Sequence, residues 1–243
     1  MLMLLIDDNP DDRALVRREL NRHFPELEIE EIRAELDLRR ALDAGPVEIV
    51  VTDFELRWSN GIEVLQRIKH RFPDCPVVMF TATGTQEIAV AAMKAGLDDY
   101  VIKSAAHYVR LPAAVEGALR RSAARSRARQ RQRRFDSMLA AMGIGVFRAA
   151  SDGSMRDANA TMLSLVGASS LDELRSLDLT AVLQAARDVD RSYTVTAPRV
   201  GGGEVALQVS GGVVEDTDGT SIIEGVVRTV TERTRRVTTA LVP

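Results

Sequence analysis

At 243 residues the chain is long for one small domain and comfortable for two of roughly 100 to 130 residues each. An apolar fraction of 45% with 28% charged residues is ordinary for a globular chain, and a formal net charge of −3 argues against bulk attraction to nucleic acid or to a membrane surface. No run approaches about 18 apolar residues and no basic leader precedes an apolar run, while the single cysteine, Cys75, excludes an internal disulfide or a cysteine zinc site; a cytoplasmic protein is expected.

From the start to about Tyr108, short apolar runs alternate with longer amphipathic stretches, which predicts an α/β domain with a five-stranded, parallel, doubly wound sheet. The strands are predicted at Met1–Ile6, Glu28–Ala34, Glu48–Thr52, Val77–Phe80 and Asp99–Ile102. "EIVVT" and "VVMF" are continuously apolar, as central strands covered on both faces must be. Helices lie between them. Val16, Leu20 and Phe24, and then Ile62, Leu65 and Ile68, each repeat on one face, Pro10 suits a first helical turn, and Asn60-Gly61 supplies a loop and a cap. A long helix is predicted from near Pro112 through Met142. Its eight arginines between Arg120 and Arg134 make it basic, and Ala and Ser stand where a coiled coil wants Leu or Val, so it reads as a solvated helical linker rather than a nucleic-acid grip. Gly145 to Arg236 reads as strands and short helices broken by the turns "SDG", "GGG" and "DTDG", hence α+β with an antiparallel sheet.

In an open parallel sheet, chemistry collects in the crevice beyond the carboxyl ends of the strands. Asp7 and Asp8 follow the first predicted strand, Asp53 the third, Thr81 the fourth and Lys103 the fifth. Adjacent carboxylates repel unless a cation or a solvated cleft offsets the charge. Three of them make a hard oxygen site suited to Mg²⁺. With the metal present, Asp53 can act as a nucleophile toward a phosphoryl group, Lys103 supplies a second positive charge, Thr81 a hydroxyl donor, and Tyr100 lies on the same edge.

The motifs "IDDN", "VTDF", "FTAT" and "DYVIK" come in the order and spacing of a response-regulator receiver domain, which Met1 to about Ala124 resembles. The resemblance implies Asp53 as phosphoacceptor, Asp7 and Asp8 as the Mg²⁺ acids with Asp53 and the backbone carbonyl of Glu55, and Thr81, Tyr100 and Lys103 as phosphate contacts and switch. Glu55, Trp58 and Thr83 stand in loops beside the site, where they would either tune phosphate lifetime or serve as loop packing. Two positions depart from the family: Arg57 replaces a common proline, though Gly61 fits, and Ser104 replaces the proline that often follows the lysine.

Residues 135–236 resemble a PAS domain, carried by "GIGVFRAASDGSMRDANATMLSLVG" and the closing "GVVRTVTERTRR". Asn159 opens the first helix after the second strand, Gly167 ends it, and Thr229 stands where an aspartate is common. The segment has no cysteine for a flavin adduct and no histidine for haem iron, so neither cofactor is expected. Phe147, Leu163, Leu165 and Val209 would line a ligand pocket or fill an ordinary core, and the ligand is unknown. "GGGEV" is read as a hairpin turn, and His23, His70 and His107 as surface residues.

The expectation is a phosphorelay response regulator: a receiver over 1–124, a helical linker over 111–142 and a PAS module over 135–236. A histidine kinase acting in trans would phosphorylate Asp53, and the helix would relay the change to a PAS module for homodimerisation or partner binding, with no membrane contact. The chain catalyses nothing beyond its own phosphorylation and dephosphorylation on this reading. Two alternatives stay open: the front part of a larger histidine kinase or nucleotide cyclase, for which the end at Pro243 is the discriminating feature, and a DNA-binding regulator acting through the arginine helix.

Overall fold

The computed structural model describes residues 1–104, 108–189, 191–216 and 219–230, and the chain divides into two units, Met1–Arg129 and Gln130–Pro243. His107 and the end of the predicted closing segment, 231–236, lie outside the described residues.

The first unit runs β1 (Leu2–Ile6), α1 (Pro10–His23), β2 (Glu28–Ile32), α2 (Glu35–Ala44), β3 (Ile49–Thr52), a small hairpin of β4 (Glu55–Leu56) and β5 (Ser59–Asn60), α3 (Gly61–Arg71), β6 (Val77–Thr81), α4 (Gln86–Lys94), β7 (Asp99–Ile102), a 3-10 turn (Tyr108–Arg110) and α5 (Leu111–Ala141). The five long strands pair in parallel in the order β2-β1-β3-β6-β7. Alternation along each strand feeds two separate cores. Leu4, Ile6, Val50, Val77 and Met79 face α2 and α3 through Leu38, Leu42, Val64, Leu65 and Ile68, whereas Met3, Leu5, Ile49, Val51, Val78 and Phe80 face α1 and α5 through Val16, Leu20, Leu111 and Val115. A strand buried on both sides has no polar face to show, hence the unbroken apolar runs.

The strand ends move by a residue or two from expectation. Arg33 and Ala34 leave β2 because Ala34 is already the extended residue that caps α2. The helix starts follow local chemistry. Asn9 accepts from Asp11 N–H ahead of Pro10, and Asn60 accepts from Ile62 and Glu63 N–H at 3.1 and 3.0 Å. Gly61 is required at the start of α3, since a Cβ there would come within 2.6 Å of the Asp53 carbonyl oxygen.

The first part of α5 docks by charge as well as by its apolar residues. Arg121 and Arg125, one turn apart, pair with Asp99 and Asp98, Arg129 with Asp74 and Arg120 with Glu116 along the helix, so four of the eight arginines are committed to acids of the same unit.

The second unit contains the remainder of α5, then β8 (Gly145–Ala150), β9 (Met155–Ala158), α6 (Ala160–Val166), α7 (Leu171–Arg175), α8 (Thr180–Ala186), β10 (Ser192–Pro198), β11 (Glu204–Glu215) and β12 (Ser221–Thr229). Its sheet is antiparallel in the order β10-β11-β12-β8-β9. The short helices pack on one face through Met162, Val166, Leu174, Val182 and Ala186. Phe147 and Val209 are buried in that core, and Leu163 and Leu165 pack against it. Asn159 joins strand to helix: its Oδ1 accepts from Val146 and Met162 N–H, both at 2.9 Å, and its Nδ2 donates to Ile144 O at 3.1 Å. Gly167 ends α6 in the left-handed conformation at φ 71°. The glycines of "GGGEV" lie in the turn joining β10 to β11. No helix among the described residues is long and apolar enough to cross a membrane.

Candidate functional site

The sheet order changes direction between β1 and β3, and the carboxyl ends of these strands with those of β6 and β7 open on one crevice. Asp7 leaves β1, Asp53 leaves β3 and Lys103 follows β7. The three are joined directly: Lys103 Nζ donates to Asp53 Oδ2 at 2.6 Å, to Asp7 Oδ2 at 2.7 Å and to Asp12 Oδ2 at 2.9 Å. The other Asp53 oxygen accepts from Phe54 N–H at 2.6 Å and, at 3.4 Å, from Glu55 N–H. Asp7 Oδ1 accepts from Asn9 N–H at 2.8 Å, and Arg13 pins the Asp7 carbonyl at 2.8 Å while pairing with Glu31.

Three carboxylates face one ammonium here, so the cluster carries excess negative charge. Burial is the largest influence on Asp7 and pushes its carboxyl above the ordinary aspartate value, against the Lys103 and Asn9 hydrogen bonds. Burial also opposes the Lys103 charge, but hydrogen bonds to Asp12, Asp53 and Asp7 outweigh it and hold the ammonium above the usual lysine range. Burial likewise opposes ionisation of Asp12, yet the bonds from Lys103 and Tyr108 leave it below the ordinary value. The Tyr108 hydroxyl, desolvated and bonded to Asp12, is pushed up to about 12.

The other predicted residues surround this core. Asp8 lines the same open cleft of about 410 Å³ as Asp12, Asp53, Glu55 and Lys103, accepts from Arg57 N–H at 3.1 Å and forms an ion pair with Arg57 Nε at 3.2 Å. A proline at position 57 could make neither contact. The Lys103–Ser104 peptide is trans. Thr81 is buried, its hydroxyl accepting from Thr83 N–H at 3.2 Å, and Tyr100 donates to Thr83 O at 3.1 Å, which ties β7 to the loop after β6. The Glu55 side chain is exposed. Trp58 packs against the α2–α3 core, with its indole N–H buried and without an acceptor among the described residues.

The oxygens of Asp7, Asp12 and Asp53 approach within 4.8 Å of one another. An all-oxygen, multiply anionic set of this kind fits a hard divalent cation, and receiver domains bind Mg²⁺ at such an acidic pocket. Position at a strand end marks Asp7, Asp8 and Asp53 for the crevice in the sequence but does not mark Asp12 or Tyr108. Asp12 lies in the first turn of α1, where an acid is ordinarily explained by the helix dipole. Its signal was a second acidic pair, Asp11-Asp12, one turn past the first. Tyr108 carried none.

Comparison with known proteins agrees with this geometry. Residues 3–116 match the family model of the response regulator receiver domain. Over 100 residues the chain is 35% identical to response regulator protein PilR of Pseudomonas aeruginosa, the match covering 41% of this chain and 22% of that protein. It is 28% identical over 104 residues to the cyclic di-GMP phosphodiesterase response regulator RpfG of Xanthomonas campestris, covering 42% and 27%. With chemotaxis protein CheY1 of Helicobacter pylori it shares 26% over 106 residues, covering 42% and 85%. The chain thus spans less than a third of the first two relatives. Its N-terminal unit is a response-regulator receiver domain.

Proposed function

We propose that this chain is a phosphorelay response regulator in which Asp53 accepts a phosphoryl group from the phosphohistidine of a separate kinase. The observation that carries the reading is the setting of Asp53: a strand-end carboxylate with one oxygen on backbone N–H groups and the other 2.6 Å from the Lys103 ammonium, inside an acidic oxygen cluster. An Asp53 oxygen attacks phosphorus, the new O–P bond forms as the P–N bond breaks, and the electron pair leaves on the imidazole nitrogen. Lys103 neutralises charge on the phosphoryl oxygens. Asp7, Asp8, Asp53 and the Glu55 carbonyl would hold Mg²⁺, which supplies further neutralisation when bound. Thr81 and Tyr100 then respond as hydroxyl donor and reporting ring, with Glu55, Trp58 and Thr83 adjusting the lifetime of the acyl phosphate from the adjoining loops.

The second unit is read as a PAS module, supported by the Asn159 cap, the Gly167 stop and helices gathered on one face of its antiparallel sheet. Output is homodimerisation or partner binding through the linker helix, where Phe135 and Met138, with Met142 one residue past its end, are exposed at coiled-coil spacing. The pairing of Arg121, Arg125 and Arg129 with acids favours this over the DNA-binding reading. The test is incubation with an acyl phosphate and Mg²⁺ followed by intact-mass and peptide mapping. One phosphoryl group on Asp53, lost in Asp53→Asn, is expected; a label on Asp7 or Asp8 would sink the assignment.

A further inference from the structure

The inference rests on reading Asp53 as phosphoacceptor. An ammonium has three N–H donors, and in Lys103 they reach three different carboxylates, at 2.6 Å for Asp53, 2.7 Å for Asp7 and 2.9 Å for Asp12. These acceptors are not equivalent. The side chains of Asp7 and Asp53 are 3% and 11% exposed, and each also accepts from backbone N–H; that of Asp12 is 22% exposed and makes the longest of the three bonds. Its other oxygen is also occupied, by the Tyr108 hydroxyl donating at 2.9 Å. Tyr108 begins the 3-10 turn directly before α5, and its ring meets the Phe80 ring edge-on, centroids 5.0 Å apart, one residue before Thr81.

We infer that Asp12 is a positioning residue that holds one N–H of Lys103 while Asp53 is unmodified, yields it to the phosphoryl group, and passes the change through Tyr108 to the first turn of α5. The cause is charge. Turning the Asp53 carboxylate into an acyl phosphate adds about one negative charge and strong acceptor oxygens. The ammonium moves toward the stronger acceptor, and the bond it gives up is the longest one, to the least buried carboxylate. The same added charge repels Asp12. Tyr108 then donates to an acceptor that has shifted, and its position, three residues before Leu111, sets how α5 begins. Asp12 stands in the first turn of α1 rather than at a strand end and is tied through Tyr108 to the turn before α5, so on this inference it serves Lys103 and leaves the metal to Asp7, Asp8 and Asp53.

The test uses the full chain and its variants Asp12→Asn, Asp12→Glu and Tyr108→Phe, with Asp7→Asn as the metal-ligand reference. Asp53 labelling by mass, Mg²⁺ affinity, beryllofluoride affinity at saturating Mg²⁺, and amide exchange with and without beryllofluoride are measured. Asp12→Asn exchanges a charged competing acceptor for a weaker neutral one and removes a like charge, so beryllofluoride should bind about three- to tenfold more tightly. Mg²⁺ affinity should fall far less than in Asp7→Asn. The exchange change at residues 108–115 should disappear in Asp12→Asn and Tyr108→Phe and return in Asp12→Glu, while the change at residues 81–85 persists in all three. An undiminished response at 108–115 in Tyr108→Phe, or a Mg²⁺ loss in Asp12→Asn equal to that in Asp7→Asn, overturns this inference and leaves the function standing. Failure of the unaltered chain to take a phosphoryl group on Asp53 removes both.

Discussion

The side chains of Asp7 and Asp98 are each 3% exposed, and their surroundings drive them in opposite directions. Burial is the dominant influence on Asp7 and raises its pKa above the ordinary aspartate value, so charge on this carboxyl costs the folded chain, a cost the proposed metal role would explain. Asp7→Asn is therefore expected to raise the melting temperature in chelator while abolishing the stabilisation Mg²⁺ gives the parent, a pair of scans by calorimetry. Burial also opposes ionisation of Asp98, but hydrogen bonds from Lys69, Arg125 and Val77 N–H outweigh it and hold the carboxyl below the ordinary value. A depressed folded pKa means the folded state binds the proton less tightly than the unfolded chain. Its stabilisation is thus complete above the unfolded value near 4 and is lost as pH falls through the lower folded value. Urea titrations at pH 6 and pH 3 should show the parent losing more stability than Asp98→Asn, which should cost about 2 kcal/mol at pH 6. On the rim, the Arg57 guanidinium would compete with a cation for Asp8 on the proposed reading, and because Arg57 is exposed the effect is modest: Arg57→Ala should tighten Mg²⁺ binding about two- to fivefold.

At the scale of elements, each sheet is fixed by a close approach that tolerates no added carbon. In the antiparallel sheet Gly225 pairs with Phe147, and a Cβ at 225 would fall 2.2 Å from the Phe147 ring. The ring lies over β12 because glycine leaves room, and Gly225→Ala should destabilise the second unit by about 1 to 3 kcal/mol in urea titration, leaving Asp53 labelling unchanged. In the first unit the corresponding contact is Gly61 against the Asp53 carbonyl, where the same substitution should impair labelling because the backbone of the proposed phosphoacceptor itself must move. α5 belongs to a different regime. Its arginine pairs are half exposed, each contributing less than about 1 kcal/mol, so they steer the helix more than they stabilise it.

For the whole molecule, α5 is the one element among the described residues that begins in the first unit and ends in the second, and on the proposed reading it carries the signal. Phe135, Met138 and Met142 are each more than half exposed, an apolar stripe that a second copy would cover on the proposed reading. Replacing Phe135 and Met138 together by Glu should weaken self-association at least tenfold in analytical ultracentrifugation without lowering Asp53 labelling. Unchanged association would place the dimer contact elsewhere.

The sequence by itself determined the α/β order of the first unit, the five parallel strands, the crevice acids and Lys103, because strand burial on two faces and residues at strand ends leave local, periodic marks. It also determined the Asn159 and Gly167 helix boundaries, which are matters of capping within a few residues. Other features depended on groups far apart in the chain. That Lys103 meets Asp12 across 91 positions, that Asp8 turns to Arg57, and that Tyr108 joins Asp12 to the start of α5 are results of packing. Such contacts have no period and no local preference to read. They exist only once the sheet has brought the ends of β1, β3 and β7 together, and only there does an ordinary first-turn aspartate become part of the site.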